Sequence, residues 1–216
     1  MTADATTPSL EATDAALTTA TPGLDQEGQR LAAAVLRLLS AGEPASAAAA
    51  AAAPMPVSQA ERLLRSWPAV FWDDHGQVTG FWGLALAKMP HRIRHAGVDL
   101  YAWCAWDPLF LAYIIGDLQV TTADPVTGEA ITYRTGPNGG ITGASHPDSV
   151  LSFLRPGQPW DDDVMTTFCH YVLHFTAPAS AERWTAAHPG TFAISLGDAA
   201  ELARRHAARA FGAASG

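Results

Sequence analysis

The 216-residue chain carries two cysteines, Cys104 and Cys169, and the first stands three residues before a carboxylate. The segment Leu100-Tyr101-Ala102-Trp103-Cys104-Ala105-Trp106-Asp107 places that thiol and Asp107 where a strand is expected to meet a helix. Asp107 followed by Pro108 reads as a helix start, with an N-cap oxygen and then a proline at the first helical position. The N-terminus of such a helix favours a thiolate over a thiol, lowering a pKa that starts near ~8.5. Asp107 can therefore be a cap or a chemical group, and its position alone leaves both open. The thiols are equally ambiguous. Free cysteine is among the most often buried residue types, and in a reducing cytosol two distant cysteines do not suggest a structural disulfide.

Cys169 follows 65 positions after Cys104, in Thr167-Phe168-Cys169-His170-Tyr171-Val172-Leu173-His174-Phe175, and spacing does not show that the two meet. His170 and His174 are four apart, which on a helix is metal-ligand spacing. The metalloprotease pattern also requires Glu directly after the first His, where this chain has Tyr171. On a strand both histidines share a face without any need to bind, so zinc is the minor reading. The sequence holds neither a glycine-rich phosphate loop nor a nucleophile-elbow serine.

Thirteen basic against twenty-one acidic residues give a net charge of −8, which argues against nucleic acid as the main partner. The first twenty residues include Asp4, Glu11 and Asp14 and no apolar run, so no secretory signal is expected. No apolar stretch approaches the ~20 residues of a membrane-spanning helix. The expectation is a soluble, cytoplasmic protein without a membrane partner.

The elements that must position these groups read as α+β, because strands and helices are grouped rather than alternating. Residues 1–23, rich in Thr, Ala, Ser and Pro, are expected to be a flexible tail. Residues 24–88 read as three helices and a hairpin, the outline of a winged-helix-like module. The first helix runs from Asp25 with Leu31, Val35, Leu38 and Leu39 on one face and ends at Gly42. Ser46 caps an alanine helix stopped by Pro54, and Ser58 with Glu61 forms a capping box on the third. The hairpin spans Phe71-Trp72, the turn Asp73-Asp74-His75-Gly76, and the run from Val78 to Leu86. Arg62 and Arg65 make no basic cluster, so the module reads as scaffold rather than DNA reader.

Residues 89–216 read as the second domain, an antiparallel or mixed sheet with flanking helices. Strands are expected at Leu100–Cys104, Leu118–Ala123, Glu129–Thr135 and Tyr171–Thr176, with a hairpin or meander over Ile141–Leu154. Helices are expected at Pro108–Ile115, closed by Gly116, at Ser180–Ala187, and at Asp198–Phe211, opened by an Asp198/Glu201 capping box. Asp161 is expected to cap a short turn leading to Cys169.

Leu-Tyr-Ala-Trp-Cys-Ala-Trp-Asp, with Gly83-Leu84-Ala85-Leu86 upstream and Phe168-Cys169 downstream, closely resembles the organomercurial (alkylmercury) lyase family. The similarity runs from about residue 28 to about 211, with Gly42-Glu43-Pro44-Ala45-Ser46 matching the start of the family's second N-terminal helix. The resemblance implies an active site of two cysteines and one aspartate, which fall on Cys104, Cys169 and Asp107. It also implies that the N-terminal module caps the catalytic domain. Two departures concern accessory thiols. His170 stands where members often carry a second cysteine, and a further cysteine of some members falls near Asp124.

The implied chemistry suits these residues. Mercury(II) is soft and prefers thiolate sulfur. One thiolate would bind R–Hg⁺, a second would weaken the Hg–C bond, and Asp107 would relay a proton from an incoming thiol to the leaving carbon. A free Asp has a pKa of ~3.9, so its site must raise that value by desolvation or nearby thiolates, whereas capping would lower it. Trp103, Trp106 and Phe168 suit a water-poor pocket or ordinary core packing. No cofactor is expected, because mercury is substrate and product. External low-molecular-weight thiols or a mercuric reductase are the expected acceptors of Hg²⁺. The rival reading is a non-catalytic thiol protein that binds or senses heavy metals, with a winged-helix regulator as a third.

Overall fold

The computed structural model describes residues 7–51 and 55–212. Its first helix, α1 (Leu10–Ala20), lies within the segment expected to be a flexible tail, and this corrects that expectation. Ser9 opens it by accepting the Ala12 N–H at 3.2 Å. Composition hid the helix because only Leu10 and Leu17 are large apolar residues. That small apolar content suffices once docked, since Thr13, Leu17 and Ala20 are buried against the C-terminal helix. Asp14 reinforces the contact with ion pairs to Arg209 at 2.7 Å and Arg205 at 3.4 Å.

Three further helices follow. In α2 (Gln26–Ser40), Asp25 caps the start by accepting the Gly28 N–H at 2.8 Å. Gly42 leaves its end at a φ of +87°, a region that favours glycine. Ser46 caps α3 (Ala47–Ala50) through the Ala49 N–H; the expected stop at Pro54 lies outside the described residues. The Ser58/Glu61 box does not form in α4 (Val57–Ser66), which starts after Pro56 with no side-chain cap. Glu61 instead pairs with Arg65 one turn on.

Strands β1 (Val70–Trp72), β2 (Val78–Phe81), β3 (Leu84–Ala85), β4 (His91–His95) and β5 (Val98–Ala102) lead to α5 (Asp107–Ile115). Then come β6 (Leu118–Ala123), β7 (Ala130–Thr135) and β8 (Ile141–Thr142), completing an eight-stranded antiparallel sheet of order β1-β2-β3-β5-β4-β6-β7-β8. The hairpin β1–β2 is thus no free wing. It forms one edge of the large sheet, and the junction between residues 88 and 89 falls inside that sheet. An isolated bridge from Ala45 to Val78 ties the α2–α3 loop to it.

A second sheet of order β10-β9-β11 comprises β9 (Val150–Leu154), β10 (His174–Phe175) and β11 (Thr191–Ser195), with α6 (Val164–Thr167) and α7 (Pro178–Ala186) between strands. The expected hairpin over Ile141–Leu154 does not exist, because β8 pairs with β7 and β9 opens the other sheet. The strand expected from Tyr171 shrinks to two residues, since Cys169–Tyr171 coil into a 3-10 turn. The last helix, α8 (Leu196–Phe211), is opened by Ser195, whose Oγ accepts the Asp198 N–H at 3.0 Å. The box is therefore Ser195/Asp198, and Glu201 instead pairs with Arg204 and Arg205. One buried cluster runs from Leu17 through Leu36, Phe81 and Trp106 to Phe153 and Phe211, so both halves share a core. No described helix is long and apolar enough to cross a membrane.

Candidate active site

The turn Trp103-Cys104-Ala105-Trp106 is held from several sides. The Trp103 N–H donates to the Gly83 carbonyl at 3.1 Å, and the Ala105 N–H to the Val172 carbonyl at 3.0 Å. The second bond stitches the Cys104 turn to the segment carrying Cys169, whose own carbonyl accepts the Val172 N–H. The Trp106 indole donates to the Ala199 carbonyl of α8, and its ring meets Phe153 and Phe168 edge-on. Residues 65 positions apart are brought together by these contacts.

Their result is a compact triad. One sulfur each from Cys104 and Cys169 and one Asp107 oxygen lie within 4.8 Å of one another, and all three residues are buried. Both cysteines are free thiols. Among the described residues this is the one group of three that can hold a metal ion. His170 and His174 do not converge. His170 is exposed on the 3-10 turn, while His174 is buried on β10 with Nε2 3.1 Å from the Ser149 hydroxyl.

Asp107 is not the cap that its place before Pro108 suggested. The cap position falls one residue earlier, on Trp106, which makes no side-chain cap bond, so Asp107 is the first residue of the helix itself. It turns back instead, accepting the Cys104 N–H at Oδ2 (2.6 Å) and the Cys104 thiol at Oδ1 (3.2 Å). Burial pushes its carboxyl pKa up to about 7, against the lowering effect of the Cys104 backbone and thiol donors and of the Trp103 N–H. Burial also drives the Cys104 thiol well above its ordinary value, aided by its hydrogen bond to Cys169 and the charge of Asp107. At Cys169 the Cys104 hydrogen bond pulls downward, but burial and the Asp107 charge leave the thiol raised. The expected helix-terminus activation of Cys104 is overridden, because desolvation dominates.

Gly83 makes room for the carboxylate. A Cβ there would stand 2.8 Å from Asp107 Cγ, and its φ of +95° is disfavoured for any other residue. Two non-glycine neighbours of the pocket, Ala69 (φ +58°) and Trp82 (φ +38°), are also left-handed, a conformation costing on the order of 1–3 kcal/mol each. They are held there by the Asp162 carboxylate, which accepts the Ala69 N–H, and the Pro68 carbonyl, which accepts the Trp82 indole.

The pocket opening onto the triad is walled by Trp82, Trp103, Trp106, Phe110, Trp160 and Phe168. Thr21 and Pro22 after α1, Pro68 after α4, and His206 on α8 complete it. These contributors were invisible in the sequence, apart from the aromatic residues flanking the cysteines. Asp124, where some relatives are expected to carry a cysteine, is a structural anchor. It is buried and accepts from the Val126, Thr127 and Thr176 N–H groups and the Thr176 and Ser180 hydroxyls.

The family model described as alkylmercury lyase matches residues 84–208. An alkylmercury lyase of Staphylococcus epidermidis is 33% identical over 178 residues, 81% of this chain and 80% of its own. One from Bacillus cereus is 36% identical over 152 residues, 69% and 67% of the respective chains. The crystal structure of the mercury-bound form of MerB2 superposes with a TM-score of 0.72, covering 93% of this chain and 98% of that one. At 17% identity that likeness speaks to the fold. With the relatives and the family model in agreement, the chain belongs to the alkylmercury lyase family.

Proposed function

We propose that the chain cleaves the carbon–mercury bond of organomercurials by protonolysis, giving a hydrocarbon and Hg²⁺, with Cys104 and Cys169 as mercury ligands and Asp107 as proton relay. The observation carrying this reading is the convergence of two free thiols and one carboxyl within 4.8 Å at the floor of an apolar pocket. Cys169 lines the pocket and meets substrate first. It exchanges with the thiolate of R–Hg–SR′, and R′SH leaves with the Cys169 proton. Cys104, fully buried and bonded to Asp107, then passes its proton to the carboxylate as its sulfur binds mercury. Asp107 delivers that proton to carbon. The C–Hg electron pair becomes the new C–H bond, and Hg²⁺ stays between two thiolates. A carboxyl with a pKa of about 7 suits both halves of this relay near neutrality.

Every atom and proton in this sequence comes from substrate and chain, so no resident cofactor is invoked. The Hg²⁺ acceptors are low-molecular-weight thiols or a mercuric reductase, and the setting is a reducing cytoplasm, supported by the two free cysteines. Thr21, Pro22, Pro68, Ala69 and Trp82 on the pocket wall support a capping role for the N-terminal helices and hairpin. The charge of −8 supports a protein that does not hold nucleic acid. The test is incubation with phenylmercury and excess thiol, measuring benzene and Hg²⁺ together. Equimolar release supports a lyase, whereas capture of one mercurial per chain without benzene would establish the metal-binding alternative.

A further inference from the structure

In a pocket lined by aromatic rings, His206 is a polar group that the cleavage chemistry does not use. It lies on α8, 4% exposed, with its ring packed against Trp106, Phe110 and Trp160 at centroid distances of 5.1, 4.9 and 5.9 Å. Its tautomer follows from its neighbour. The Thr21 hydroxyl donates its one proton to the Leu17 carbonyl at 2.8 Å, so towards His206 Nδ1, 3.4 Å away, it can only accept. Nδ1 therefore carries the ring proton and Nε2 a lone pair. Burial keeps the ring neutral, its pKa pushed down to about 3. Nε2 has no hydrogen-bond partner among the described residues, and His206 lines the pocket. The neighbouring indoles do not duplicate it. Those of Trp82 and Trp106 donate to protein carbonyls, and the N–H groups of Trp103 and Trp160 are closed off.

We propose that His206 is a specificity-determining residue, and that the pocket selects arylmercurials whose ring carries a hydrogen-bond donor, such as a phenolic hydroxyl or an aromatic amine, received by His206 Nε2. This rests on the lyase reading. The Hg–C end sits at Cys169 and Asp107, the aryl ring lies among Trp106, Phe110, Trp160 and Phe168, and the donor on the ring reaches the imidazole. Aromatic rings favour an aryl guest through edge and offset contacts. A buried acceptor left empty by a guest without a donor penalises that guest.

The experiment compares kcat/KM for hydroxyphenylmercury and fluorophenylmercury, as meta and para isomers, in the wild type and in His206→Phe, which keeps an aromatic ring. Electron donation by the hydroxyl alters the intrinsic reactivity of the Hg–C bond equally in both proteins, so the ratio of ratios isolates the imidazole. The hydroxyl preference should fall about threefold to tenfold in His206→Phe for at least one isomer, the range of one neutral hydrogen bond. His206→Gln, which retains an acceptor, should keep part of it. A second readout does not depend on replacing the histidine. In Asp107→Asn, binding of hydroxyphenylmercury should move the ¹⁵N resonance of His206 Nε2, and fluorophenylmercury should not. An unchanged preference in His206→Phe, or an unmoved resonance, overturns the proposal. Failure of either substrate to yield hydrocarbon in the wild type instead overturns the lyase reading.

Discussion

Replacing Asp107 with asparagine keeps size and shape while removing the titratable proton, so its effect on stability reports the carboxyl's pKa independently of catalysis. Asp107 has a folded-state pKa of about 7 against an ordinary 3.8. A carboxyl raised in this way contributes no penalty below the unfolded value, where both states are protonated. As pH rises from about 4 to about 7 the unfolded chain releases the proton and the folded chain keeps it, so wild-type stability falls; above that range the loss is complete. At about 1.4 kcal/mol per pH unit the total is on the order of 4 kcal/mol. The group is buried, so solvent screening does not discount this figure. Denaturant unfolding of wild type and Asp107→Asn at pH 4.5 to 8, a range chosen so that other acids titrate alike in both, measures it. The stability of the variant minus that of the wild type should climb by several kcal/mol across the range, about 1.4 kcal/mol per pH unit on its steep part. The amide's altered contact with the Cys104 sulfur adds only a constant offset. A flat difference would show that the folded-state pKa of Asp107 is not raised and would refute the tuning of the relay to neutrality. The same variant should still capture phenylmercury but release benzene ~10²–10⁴-fold more slowly.

Four further outcomes follow from the site. Cys104→Ser and Cys169→Ser should each abolish hydrocarbon release without unfolding the chain, because a serine oxygen is a poor mercury ligand; turnover within tenfold of wild type in either would exclude the two-thiolate step. Gly83→Ala should cost on the order of 1–3 kcal/mol in denaturant unfolding from the backbone alone and slow cleavage ~10²-fold by displacing the carboxylate, and normal benzene release would show that Asp107 tolerates movement. After a single turnover without added thiol, about one mercury per chain should co-elute in gel filtration and be stripped by excess thiol, since the chain has no third cysteine to pass the ion onward. Both thiols should remain protonated at pH 8 in the free enzyme, with no ultraviolet thiolate absorbance, because burial raises both above the ordinary 9.0.

What was legible in the sequence was local. The Cys104–Asp107 spacing, the helix closed by Gly116, the β6–β7 hairpin and the Ser46 cap rest on contacts a few residues apart, where residue type decides the outcome. Local pattern fails where distant partners decide. α1 has too few large apolar groups to read as a helix because α8, which buries Leu17, supplies the arginines for Asp14 from 191 and 195 residues away. β4, His91-Arg-Ile-Arg-His95, alternates correctly, but its charged positions concealed a strand lying between two others. β11 carries no local signal, and β8 pairs with β7 rather than β9, because the strand partner rather than the turn sets sheet membership. Position alone leaves Asp107 open between cap and chemical group for a related reason. The sequence places it where caps occur, but the close approach of Gly83 and the free Cys104 N–H draw its side chain backwards. The histidine on α8 had no signal, since nothing in Arg-Arg-His-Ala-Ala indicates an aromatic pocket.

Charge balance explains why such a site can rest without a positively charged neighbour. Three acidic groups within 4.8 Å of one another, all ionised, would repel pairwise by roughly 4 kcal/mol at an intermediate dielectric, in addition to the penalty of burying each. Among the described residues no lysine or arginine lines the pocket to offset this. The site avoids the cost by keeping both thiols protonated and the carboxyl only partly ionised. The missing cation is R–Hg⁺ itself. In the proposed cleavage, as mercury moves from its incoming thiolate to Cys169 and on to both sulfurs, each proton lost from sulfur is replaced by a bond to a soft cation, so negative charge never accumulates. Deprotonation of Cys104 is then favourable only with mercury in contact, and at that moment Asp107 is the adjacent base, 3.2 Å away. The same burial that makes the thiols unreactive towards water makes them dependent on the metal, and the proton displaced by mercury arrives on the group that must pass it to carbon.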